Sequence, residues 1–199
     1  MRRIGIMGGT FDPIHYGHLI AAEEVRQLFS LEKVIFIPAK IPPHKVGVQM
    51  SDPEDRYMMV FLATLDNPYF EVSRIEIERE GISYSVDTVK QLRKDLDEEV
   101  EMFFITGMDI VLDLQSWKSP KELLSLCRFI AVTRSGYSLS LLKERLPQEF
   151  LEKIDVVEIP SPPISSTEIR NRVKVGKSIR YLVPSLVENY IKRRRLYLI

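Results

Sequence analysis

"RRIGIMGGTFDPIHYGHLIAAEEVRQLFSLEKVIFIP" fills residues 2–38. It reads as a strand over 2–8, a glycine-rich loop, an amphipathic helix over 17–29 and a second strand over 33–38 closed by Pro38. A strand, a crossover helix and another strand form the unit of a parallel sheet with helices on its faces. That unit decides the fold class, which is α/β.

The pattern continues along the chain. Ser51 with Glu54, and Pro53 between them, predicts a capped helix running to Ala63. The connection 39–49, "AKIPPHKVGVQ", reads as a mobile loop, and 69–80, "YFEVSRIEIERE", alternates like a half-exposed strand. Residues 82–96 turn from strand to helix near Ser85, and "EVEMFFITG" at 99–107 is a buried strand. Ser119, Pro120 and Glu122 repeat the capping-box signature, after which 127–134 and 154–160 supply the last strands. Ser and Thr caps open a helix at 165–173, and Pro184 is placed to start a final one through 185–194.

With 199 residues the chain suits one domain over 1–199, and 45% hydrophobic with 28% charged residues is the composition of a folded globular protein. Lys plus Arg and Asp plus Glu number 28 each, so no global field steers the molecule towards nucleic acid or an anionic membrane; an anion site must be local. The "KRRR" run at 192–195 complements a helix C-terminus and is not read as a nucleic-acid site. Cys127 is the single cysteine and reads as core packing. No secretory signal or membrane span is read, and a cytoplasmic location is expected. A homo-oligomer is compatible with the sequence.

The chemistry concentrates at 8–18, "GGTFDPIHYGH". A glycine-rich turn between a strand and a helix presents backbone N–H groups where the helix dipole favours an anion, and phosphate is the natural ligand. Gly8 and Gly9 admit close backbone approach, Thr10 adds a hydroxyl, Asp12-Pro13 sets the turn, and Phe11 anchors in the core. His15 and His18 are three apart and project to one side if both lie on the first helical turn. The competing role for each imidazole is to cap the helix. Zinc would need a third ligand, for which His44 and Cys127 are the scarce candidates, and no metal ligand is assigned. The loop is not a P-loop, because no Gly-Lys-Ser/Thr follows. Near the other end, Ser165, Ser166 and Thr167 precede a helix that carries Arg170 one turn in, a second anion site or a plain Ser/Thr cap with an exposed arginine.

"GGTFDPIHYGH" resembles the first signature of the nucleotidylyltransferase superfamily, His-x-Gly-His, and "ISSTEIR" at 164–170 resembles its second. "PPHK" at 42–45, "YSVDT" at 84–88, "GMD" at 107–109, Trp117, "TRSGY" at 133–137 and "RYLVPSLVENYI" at 180–191 extend the likeness to bacterial nicotinate mononucleotide adenylyltransferases over nearly the whole chain. It departs from that pattern with Ser at 85, Met at 108 and Ser at 135. The resemblance implies a Rossmann-like doubly wound sheet with a helical C-terminal end. The implied reaction joins the AMP part of ATP to nicotinate mononucleotide, releases pyrophosphate and forms deamido-NAD, with Mg2+ accompanying ATP.

Such a reaction attacks with a phosphate oxygen that is already anionic and needs no base, so the protein must position two polyanions and stabilise growing charge. On this reading His18 meets the α-phosphate, with His15 and Thr10 in support, the Gly8-Gly9 turn as cradle, and Phe11 and Gly17 completing the loop. Ser165, Ser166, Thr167 and Arg170 take the β- and γ-phosphates. The family position of Trp117 implies stacking on the pyridine ring, and Ser85 with neighbouring N–H groups would receive its carboxylate. Lys45 would approach a substrate phosphate, and Gly107 with Asp109 lies at a strand end suited to a ribose. Arg134 would contact substrate or pair with an acid. The rival readings are an adenylyltransferase for nicotinamide mononucleotide or phosphopantetheine, and a nucleotide-binding sensor that lacks the chemistry.

Overall fold

A computed structural model describes residues 2–96, 99–133 and 139–198. Six strands form one sheet: β1 (Arg3–Gly9), β2 (Lys33–Pro38), β3 (Phe70–Val72), β4 (Glu101–Gly107), β5 (Arg128–Thr133) and β6 (Ile154–Glu158). Every pairing is parallel, in the order β3-β2-β1-β4-β5-β6. The chain winds outward from β1 to one edge, returns, and winds outward from β4 to the other. The reversal leaves a crevice at the carboxyl ends of β1 and β4, where open α/β sheets bind ligands.

Side-chain alternation along the central strands divides the core in two. Ile4, Ile6, Ile35, Ile37, Met102 and Phe104 face one apolar layer, covered by α4 (Ser85–Asp95) and α6 (Pro120–Leu126). Val34, Phe36, Phe103 and Ile105 face the other, covered by α1 (Tyr16–Leu28), α2 (Pro53–Thr64), α9 (Ser166–Lys174) and α10 (Ser185–Arg194). Shorter helices complete the set: α3 (Ile75–Glu78), α5 (Met108–Val111), α7 (Leu139–Arg145) and α8 (Gln148–Leu151). The expected doubly wound Rossmann-like architecture, with helices on both faces and at the C-terminal end, is what forms. No helix among the described residues is long and apolar enough to cross a membrane.

Four local expectations are corrected. Only Phe70–Val72 of the 69–80 segment is strand, because Ser73 Oγ accepts from Ile75 N at 3.2 Å and starts the α3 turn, which buries Ile75, Glu76 and Ile77 together. Residues 82–84 make no strand; helix α4 begins at Ser85 with Tyr84 as its N-cap. Pro53 takes the first helical position of α2, which makes Asp52 the cap, accepting from Glu54 N at 2.8 Å, while Ser51 N instead donates to Asp12 Oδ2 at 3.4 Å. Ser119 occupies the N-cap of α6 in a left-handed conformation, φ 48°, and makes no side-chain cap.

Candidate active site

The first loop leaves β1 at Gly9, turns through Phe11 at φ 49° and the cis Asp12-Pro13 bond, and enters α1 at Tyr16. Phe11 is buried, as expected of an anchor, and its ring meets His18 edge-on at 5.1 Å. His15 is the extended N-cap residue and His18 lies three beyond it, so the rings share one side of the first turn and stack at 3.8 Å between centroids. Gly17 keeps them together: a Cβ there would sit 3.0 Å from His15 Nδ1 and 3.1 Å from its Cε1.

The two readings of the histidines combine in His18. His15 N donates to His18 Nδ1 at 3.2 Å, so His18 helps cap the helix. An accepting Nδ1 carries no proton, which places the proton of a neutral ring on Nε2 and makes that atom a donor. The first turn of α1 holds no acidic side chain to compete for an anion at this terminus.

The second signature arrives at the same loop. Arg170 Nη1 donates to Asp12 O at 2.8 Å and Nη2 to Thr167 Oγ1 at 3.3 Å, while Ser166 Oγ donates to Pro13 O at 2.9 Å. Ser165 is the α9 cap, accepting from Glu168 N at 3.2 Å. Two segments separated by about 150 positions are thus clipped backbone to side chain. Lys45 ends a 3-10 turn, Pro43–Lys45, and is half-buried in the field of Arg170, Asp12 and Arg56. Burial first, then the charge of Arg170, holds its pKa below the ordinary lysine value.

Across the crevice, Gly107 ends β4 and Asp109 follows on α5, exposed at the strand's carboxyl end. A Cβ at 107 would lie 2.5 Å from Asp109 Oδ1, so a side chain there would turn that carboxylate away from its place over the strand end. Asp109 does not cap the helix; Gly107 holds the cap position without a side chain. Trp117, partly exposed, packs edge-on to Phe104 at 5.9 Å and Phe129 at 6.0 Å. Phe104 also underlies Gly8, whose Cβ would meet its ring at 3.2 Å, so one aromatic side chain joins the first loop to Trp117. Ser85 lies at the first position of α4, and Lys118, next to Trp117, reaches this terminus by binding Asp87 Oδ2 at 2.9 Å and covering the Tyr84 ring at 4.4 Å. Arg134 and Ser135 lie outside the described residues.

Sequence reasoning missed Arg56. It is fully buried, donating from Nη1 to Ala39 O at 2.5 Å and Thr10 O at 2.8 Å, and from Nη2 and Nε to Lys40 O and Ser51 O at 3.1 Å each. One guanidinium therefore pins the first loop to the connection after β2. Its signal was present, since position 56 continues the stripe of Met59, Val60 and Ala63 that α2 buries, and a charge on an apolar stripe needs partners. A groove of about 430 Å3 between α1 and the end of α2, lined by Leu19, Glu23, Glu24, Ala63, Asp66 and Phe70, carries the wrong sign of charge for phosphate.

Residues 6–172 match the cytidylyltransferase-like family model. A protein of Moorella thermoacetica named "Probable nicotinate-nucleotide adenylyltransferase" is 54% identical over 98% of this chain and 91% of its own length. One of the same name from Desulfitobacterium hafniense is 52% identical over 98% and 96%. The solved structure of Plasmodium falciparum nicotinic acid mononucleotide adenylyltransferase complexed with NaAD shares the fold at a TM-score of 0.81, with 22% identity over 99% of this chain and 98% of that one. A chain with the His-x-Gly-His loop at its sheet's switch point, and with such full-length relatives, belongs to the cytidylyltransferase-like family and, within it, to the nicotinate-nucleotide adenylyltransferases.

Proposed function

We infer that this protein transfers the AMP part of ATP to nicotinate mononucleotide, forming deamido-NAD and pyrophosphate in NAD biosynthesis, as one domain acting in the cytoplasm. The observation that carries the reading is the convergence of the two signatures, with Arg170 on Asp12 O and Ser166 on Pro13 O beside the stacked His15 and His18 rings.

A phosphate oxygen of the mononucleotide attacks the α-phosphorus of ATP; a P–O bond forms there, the bond to the bridging oxygen breaks, and pyrophosphate leaves with its electron pair. His18 donates from Nε2 to the α-phosphate, where negative charge grows. His15, Thr10 and the Gly8-Gly9 backbone hold the phosphate chain at the N-terminus of α1, with Phe11 and Gly17 shaping the loop. Arg170 and Lys45 neutralise the departing pyrophosphate and the incoming phosphate; Ser165, Ser166 and Thr167 shape the α9 terminus that faces them. Asp109 beside Gly107 suits a ribose, and Trp117 with Ser85 at the α4 N-terminus suits the pyridine ring and its carboxylate.

A divalent ion, Mg2+ in this reading, enters with the nucleotide as part of the substrate, where it shields the phosphate oxygens. The fit is to that role: no group of three or more His, Cys, Asp or Glu among the described residues could cage a metal, whereas phosphates and water supply the octahedral oxygens Mg2+ takes.

Pyrophosphate release with MgATP and nicotinate mononucleotide, against the same assay with the amide or phosphopantetheine, tests the substrate. Preference for an acceptor without the pyridine carboxylate, or ATP binding with no turnover for any acceptor, refutes the reading. His18→Ala is expected to lower kcat by roughly a hundredfold or more while leaving the fold intact.

A further inference from the structure

We propose that Tyr197 is a positioning residue for adenylyl transfer, its hydroxyl fixing the Asp12 carboxylate among the cations that receive the triphosphate. The proposal rests on the functional reading above and adds to it a residue outside both signatures.

Tyr197 OH donates to Asp12 Oδ1 at 2.7 Å across 185 positions of sequence. Asp12 is buried; its other carboxylate oxygen accepts a longer bond from Ser51 N at 3.4 Å, and its carbonyl takes Arg170 Nη1. One residue thus joins the C-terminal segment, the start of α2 and the second signature.

The chain spends conformational freedom to reach this point. After α10, Arg195 at φ 54° and Tyr197 at φ 66° both adopt the left-handed region, which residues with side chains occupy only where their surroundings demand it. Leu196 N returns to Ile191 O at 3.0 Å, and the Tyr197 hydroxyl settles 3.8 Å from Met59 Sδ of α2. A second anchor lies one turn back, where Tyr190 OH and Arg194 Nε bind Asp55 Oδ1 at 2.7 and 2.9 Å. Asp55 adjoins Arg56, so the C-terminal segment grips the same turn of α2 that grips the phosphate loop.

The reason this bears on catalysis is the sign of Asp12. A buried carboxylate beside a polyphosphate site competes for the cations meant for phosphate, and Lys45 already senses Asp12 and Arg170 together. A short bond from the phenol fixes that carboxylate in one orientation and takes up part of its accepting capacity. Burial and the Asp12 charge push the Tyr197 phenol upward, so it stays a donor near neutral pH.

The test compares the full-length parent, Tyr197→Phe, Asp12→Asn and the double variant with MgATP and nicotinate mononucleotide, reading pyrophosphate release and melting temperature. Expected is a loss of about tenfold in kcat/KM for ATP in Tyr197→Phe, the scale of one hydrogen bond to a charged group. KM for nicotinate mononucleotide should stay within about twofold, and the same substitution should change kcat/KM by less than about twofold in the Asp12→Asn background. An active parent with Tyr197→Phe within twofold of it overturns this proposal alone. So does an equal loss in both backgrounds, which would mark a merely structural tyrosine. A parent that releases no pyrophosphate overturns the functional reading and this proposal with it.

Discussion

Replacing Arg56 with Met removes the guanidinium that ties residues 10, 39, 40 and 51 together while keeping an unbranched apolar stem. Four carbonyls lose a donor. Ala39 O is the fully buried partner, and an orphaned buried acceptor costs about 1–3 kcal/mol. The bonds to Thr10, Lys40 and Ser51 are only partly buried, so water replaces some of them and each loss is nearer about 0.5 kcal/mol. Against this runs the relief of burying a guanidinium, which already pulls its pKa down. The net expectation is a loss of about 2–3 kcal/mol, or roughly 5–10 °C in melting temperature for a chain of this size. Urea and thermal unfolding followed by circular dichroism measure it, with an unchanged m-value checking that the folded state is the same. Arg56→Lys should recover less than half, because a compact ammonium cannot span four carbonyls. A Met variant that melts within about 2 °C of the parent would refute the view that this guanidinium pins the loop.

Gly17→Ala should lower kcat about tenfold, because its Cβ crowds the His15 ring at 3.0 Å and the ring must give by a few tenths of an ångström; steady-state turnover beside a melting curve separates this from unfolding. Cys127 is buried and its thiol is pushed up to about 12, so iodoacetamide at pH 8 should label it only in denaturant, as read by intact mass. The Glu23 carboxylate is lowered to about 2, chiefly by its hydrogen bond from Arg26. A depressed pKa gives stability that is complete above about 4.5 and lost as pH falls through about 2. The melting-temperature gap between the parent and Glu23→Gln should therefore close across that window, and a gap that persists at pH 2 would contradict the assignment.

The parallel sheet was legible because its strands are continuous apolar runs between helical periods, and a sheet buried on both faces demands such runs. The segment 69–80 was misread for a reason of the same kind: Phe70 with Val72 and Ile75 with Ile77 each imitate a period of two, and the three-residue step between the pairs is where the Ser73 contact to Ile75 N makes the turn. Both signatures were visible as local clusters of glycine, histidine, hydroxyl and arginine. Arg56 could have been found from its place on an apolar stripe. Tyr197 could not, since its meaning lies in Asp12 at the other end of the chain, and no local pattern encodes that pairing.

The balance of 28 cations against 28 anions poses a last question, how a neutral protein would keep the proposed phosphate site positive. The answer lies in what the arginines touch. On the surface Arg2 meets Glu32, Arg74 meets Glu54 and Arg128 meets Asp155, each pair cancelling itself. At the site Arg56 and Arg170 bind carbonyl and hydroxyl oxygens, which satisfy the guanidinium donors without neutralising the charge. Carbonyl partners hold a cation in place and leave its field to the ligand. Asp12 is the exception, a carboxylate inside the site, and the phenol of Tyr197 that engages it comes from the last turn of the described chain.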